Sequence, residues 1–253
     1  MTTNNNYKNK FGASTLMLAM VLSMAPAAFA QTETQTKTKG FCARIDQVEN
    51  NTRGRIEKRK TALVSKRDTR ITNLENRFNE RMSNLSENRK THDQNRTDRY
   101  AKLNERASTT EQKIAVANFQ KDVEALVTTR KTSVDSAIGT FKTGAIALYG
   151  EKRTEALAAI GTFETAVNAS LSKARASCAS GADPKIVRDT FEADMKTSLT
   201  NLKTTRETIK KTSQTELTKL QEAKKESIET AIRTFQTNFE TKKATFKEFT
   251  VTR

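Results

Sequence analysis

The chain has no tryptophan, only two prolines and eight glycines, one histidine and two cysteines. Apolar residues make up 35% of it, too little for a compact multilayer core but enough for a narrow stripe along long helices. The single histidine, His92, has no second His or nearby Cys to complete a metal site. A glycine-rich phosphate loop, a G-x-S-x-G elbow and a cysteine–histidine pair are all missing, which leaves scattered carboxylates as the only candidates for catalysis. The expectation is a protein that is not an enzyme and holds no metal or cofactor.

What is present is charge, 29% of residues, with 45 basic against 29 acidic side chains and a formal net charge of +16. Lys8 and Lys10 precede an apolar run from Leu16 to Leu22, followed by Pro26 and Ala28-Phe29-Ala30. That order is a secretory signal peptide over residues 1–30, with cleavage expected between Ala30 and Gln31; retention as an anchor is the alternative. Residues 31–41, largely Thr, Gln and Lys, read as a flexible leader. No later segment is apolar enough to span a bilayer. Export to the periplasm, cell surface or extracellular space makes Cys42 and Cys178 a disulfide candidate rather than a metal or redox pair. Such a bond would close a loop of 136 residues, worth roughly 4 to 5 kcal/mol by chain entropy.

The spacing of apolar residues predicts three helices. From Ile45 through Ile56, Leu74, Phe78, Tyr100 and Ala107 every interval is a sum of threes and fours, about 3.65 residues per step, close to a straight α-helix. Within this first helix, 42–107, the tract 86–99 holds no apolar residue, and Arg89, His92 and Arg96 keep its phase. Ser108-Thr109-Thr110-Glu111, midway between the cysteines, has the form of a capping box and marks a reversal. A second helix, 108–176, follows with Ile114, Phe119, Val123, Leu126 and Phe141 among its inner residues. Its glycines, Gly139, Gly144, Gly150 and Gly161, imply close packing of another helix, or a kink near Gly150. A loop at 177–183 ends in Asp183-Pro184, an N-cap followed by proline at the first helical position. The third helix, 184–249, precedes a short tail, 250–253. The fold class is therefore all-α: an elongated antiparallel three-helix bundle or coiled-coil rod, up-down-up.

A sparse repeat runs through it. Arg130-Lys131 stands eleven residues before Phe141, Lys152-Arg153 before Phe163, and Lys224-Lys225 before Phe235. Eleven residues are about three helical turns, so basic pair and aromatic return to neighbouring angles.

Function is read from charge and from one end of the rod. The basic surface points to an anionic envelope polymer, a membrane surface or an acidic protein as partner, with non-specific nucleic acid as an alternative. Laid beside the first helix, the third sets Phe235 and Phe239 opposite the polar tract. Either the second helix covers them, or Phe235, Phe239, Phe246 and Phe249 form an apolar tip that clasps a partner or a second copy of the chain. The plan of signal segment, basic chain and long helical hairpins resembles that of the Skp/OmpH periplasmic chaperones. The resemblance covers composition and layout only, implies a holdase that shelters apolar clients, and carries over no individual residue. The first expectation is a non-enzymatic exported coiled-coil protein that binds or spaces in the envelope, and the holdase is the second.

Overall fold

The structure, a computed structural model, describes residues 40–251, with side chains to residue 247. The signal segment, its Ala30 and Gln31 junction, nearly all of the leader and the side chain of Phe249 lie outside the described residues. A 3-10 turn, Phe41–Arg44, leads into α1, Ile45–Arg106, followed by α2, Thr110–Ala179, and α3, Pro184–Val251. The described residues contain no strand. The chain is an all-α three-helix bundle in which α2 and α3 pack most closely. Nowhere among the described residues do Cα atoms of α1 and α3 come within 8 Å of each other, although the turn before α1 touches α3.

The turns form one to three residues away from where the sequence motifs suggest. At the first, Thr109 rather than Ser108 is the N-cap: its hydroxyl accepts from the Gln112 backbone N–H, and the Gln112 side chain accepts from the Thr109 N–H. Gln112 replaces Glu111 in the box, and its amide oxygen also accepts from the Ser108 hydroxyl and N–H. At the second turn α2 continues to Ala179, so Cys178 sits in its last turn rather than in a loop. Gly181, at φ 78°, closes the helix as a Schellman motif: Ala182 N–H donates to the Ser177 carbonyl and Gly181 N–H to that of Cys178. Asp183 then caps α3 by accepting from Lys185 N–H at 2.7 Å.

The seam follows the eleven-residue period in every helix. In α2 one row reads Phe119, Arg130, Phe141, Lys152, Phe163, and in α3 the facing row reads Leu202, Ser213, Lys224, Phe235, Phe246. The two interlock by opposites. Lys224 lies 4.3 Å from the centre of the Phe141 ring and Arg130 lies 4.2 Å from that of Phe235. Phe119 stacks on Phe246 at 4.7 Å. A slip by one level would set cation on cation, so the row fixes the antiparallel register as well as adding attraction.

Three apolar clusters divide the rod. At the disulfide end Ile45, Ile56, Phe163, Val167, Leu171, Val187, Phe191 and Met195 pack together. Phe78, Phe141 and Ala145 hold the middle, and Tyr100, Val123 and Val127 the turn end. Cys42 and Cys178 are bonded, with Cα atoms 5.5 Å apart, and lie against the first cluster. Two sequence expectations are corrected here. Ile114 is 55% exposed, and Val116 and Val127 take the inner positions assigned to it and Leu126. Only Gly144 among the four α2 glycines is pressed tightly by a neighbouring helix: a Cβ there would lie 2.8 Å from Leu220. Gly150 leaves room for Arg67, while Gly139 and Gly161 face open space, and α2 continues unbroken through all four.

A candidate basic seam

The polar tract 86–99 is accommodated by α2, which brings carboxylates and a lysine to it. Arg89 forks onto Asp135 with bonds of 2.9 and 2.8 Å. Arg96 donates to both oxygens of Glu124, at 3.0 and 3.2 Å, and to Asp93 at 2.7 Å, while Lys131 holds Asp93 at 2.8 and 2.6 Å. The seam residue here is therefore Asp93, and His92 points into solvent. The hydrogen bond from Lys131 and then that from Arg96 hold the Asp93 carboxyl below its ordinary range, despite partial burial. Burial works against the charge of Arg96, but its bonds to Glu124 and Asp93 outweigh that and raise its pKa. These three cations and three carboxylates balance one another, while Arg130 beside them, its pKa lowered by burial and then by Arg96 and Arg89, is ion-paired to no carboxylate among the described residues and lies over Phe235.

Between the balanced level and the disulfide the seam is different. Arg59 is half-buried, and burial, followed by the nearby Arg206 and Arg55, lowers its pKa. Lys152 is lowered by burial, then by Arg70 from α1 and Lys210 from α3. Lys224 is lowered by burial and then by Arg81. Among the described residues no carboxylate is ion-paired to Arg59, Arg70, Arg81, Lys152, Lys210 or Lys224. Near the middle of this series the Nε atoms of Arg67 and Arg153 are buried without a hydrogen-bond partner. Half-buried cations beside like charges normally carry an energetic penalty that a structural role would remove with an acid. A seam that keeps them is suited to receiving an anion.

The residues expected to form an apolar tip are drawn together, but with α2 among them. Phe235 and Phe239 stack at 5.8 Å, and both pack against Tyr100, Val123 and Val127. Phe119 contacts both Phe239 and Phe246, and Lys242 pairs with Asp122 at 2.9 Å beside them. The seam cations were not singled out by the apolar spacing, because Arg59, Arg70 and Arg81 interrupt it. Their signal is the eleven-residue spacing of Val48, Arg59, Arg70 and Arg81.

Fold and seam together define a class: an all-α three-helix bundle, closed by one disulfide, with a basic seam through its middle. No protein family, no curated protein and no solved structure matches the chain. Among the described residues no helix is long and apolar enough to cross a membrane.

Proposed function

We propose that this is a non-enzymatic, exported coiled-coil protein that binds or spaces within the cell envelope by holding anionic polymers or membrane surfaces against a basic rod. The single observation that carries the reading is the run of half-buried cations at Arg59, Lys152 and Lys224 without paired carboxylates, in a chain of net charge +16. Such charge attracts polyanions by counterion release and favours adhesion that depends on salt. The Cys42–Cys178 bond suits an oxidising compartment and supports export. The holdase reading has less support, since Phe235, Phe239 and Phe246 are engaged with Phe119 or with one another.

Ionic strength separates the two. Cosedimentation with vesicles rich in anionic lipid, and retention on immobilised anionic polymer, are expected at low salt and lost at high salt. Salt-insensitive suppression of client aggregation, with no retention on either anionic surface at low salt, would refute the adhesion reading in favour of the holdase.

A further inference from the structure

We infer that the seam between α1 and α3, from Arg59 to Arg81, is a track for one linear, base-free phosphate polymer lying along the rod axis. The inference rests on the anion-binding reading above and names its ligand. Three levels line the track: Arg59 with Arg206, Arg70 with Lys152 and Lys210, and Arg81 with Lys224.

The geometry makes it a track rather than a spot. Arg59, Arg70 and Arg81 are eleven residues apart, so they repeat every three turns on one line of α1, about 16 Å per level. Each is close enough to a cation of α2 or α3 to perturb its charge, and the Cα atoms of α1 and α3 stay more than 8 Å apart throughout. A single phosphate ion can engage one level, whereas an extended chain reaches all three. Guanidinium supplies a cation on every level or beside it, and its planar fork matches phosphate oxygens two at a time. A flat bilayer cannot follow cations whose side chains are half-buried between helices, as those of Arg59, Arg70 and Lys152 are. Nucleic acid fits less well, because single strands bind by stacking bases on exposed aromatics. The rings at this level, Phe78 and Phe141, are buried against each other, and Phe141 is already covered by Lys224.

The test compares two triple variants of the disulfide-bonded chain, R70Q/K152M/K210Q in the track and K58Q/K102Q/K113Q on exposed surface, titrated with inorganic polyphosphate. The two lose equal charge, so a generic basic surface predicts equal effects. The expected result is a loss of roughly tenfold or more in affinity for the track variant, with a salt slope shallower by about 2, and a much smaller loss for the surface variant. Equal losses would overturn the track while leaving the adhesive surface intact. No binding by the unmodified chain to polyphosphate, anionic vesicles or any anionic polymer would overturn both. Orthophosphate and oligothymidylate are expected to compete weakly; competition by either as strong as by polyphosphate would exclude a linear base-free ligand. Acetylation footprinting of the unmodified chain needs no variant: polyphosphate should protect Lys152, Lys210 and Lys224 over Lys58, Lys102 and Lys113, and uniform protection would sink the track.

Discussion

The two halves of the rod meet the same difficulty and answer it differently. Toward the turn, Arg89, Arg96 and Lys131 enter the seam and find Asp135, Glu124 and Asp93 waiting. Toward the disulfide, Arg59, Arg70 and Lys152 enter it and find other cations. Both halves keep apolar clusters, so burial alone does not distinguish them. The chain has the means to neutralise such charges in both halves, as Lys60 with Glu164 shows near the disulfide, yet it leaves Arg59, Arg70 and Lys152 without an ion-paired acid among the described residues. Cations left without an acid cost stability, which the anion proposed above would restore.

The disulfide ties the turn before α1 to the last turn of α2, and its removal is the largest expected disturbance. Cys42→Ser should lower stability by roughly 2 to 4 kcal/mol without changing helix content, read as a lower Tm at constant far-ultraviolet circular dichroism. Amide exchange should then rise more in α1 around residues 45–60 than around 89–106. Equal acceleration in both segments would mean that the halves are not held differently. A smaller effect is expected from Asp93→Asn, which strips Arg96 and Lys131 of a shared carboxylate that is 41% exposed; after solvent screening the loss is about 1 kcal/mol. Because the folded Asp93 pKa lies below its ordinary value, the stability it lends is present above that ordinary value and fades as pH falls through the folded one. Acid titration of Tm should therefore flatten in Asp93→Asn, and an unchanged acid limb would remove this ion pair from the account of the turn end.

The contrast explains what could be read in the sequence. Three helices, the reversal near residue 110 and the cap at Asp183 were legible because apolar spacing and capping chemistry are local signals. The cysteine pairing was legible because that reversal brings the two residues to the same end. The inner side of α2 was less so: Ile114 and Val116 are both apolar, and only the row Val116, Val127, Ile138, Ile160, Leu171 picks the buried one. The polar tract looked like a mismatch because its partners, Glu124, Lys131 and Asp135, lie on the other side of a turn. The seam cations resemble ordinary surface charges until the three helices are brought together.

The cations of the other half supply the opposite sign of response. Lys152 titrates below an ordinary lysine when folded, so the unfolded chain binds more protons as pH rises through the folded value toward about 10.4, and stability climbs over that window. Lys152→Met should remove much of the alkaline climb and raise stability at neutral pH by about 1 kcal/mol or less, since the site is only half-buried. A lower neutral Tm for this variant would mean that Lys152 has a structural partner after all.

The smallest effects separate close packing from open helix surface. Gly139→Ala and Gly161→Ala place a methyl in open space and should each stabilise by up to about 1 kcal/mol. Gly144→Ala gains the same helix propensity, but its methyl would lie 2.8 Å from Leu220 in the tightest α2 to α3 approach seen at any glycine. The Leu220 side chain can turn aside only by disturbing its packing against Phe78 and Phe141, so gain and loss should nearly cancel. Equal stabilisation at all three glycines would show that α2 and α3 are no more tightly joined than α1 is to either, and the distinction between a firm helix pair and a third helix set apart by a seam would go with it.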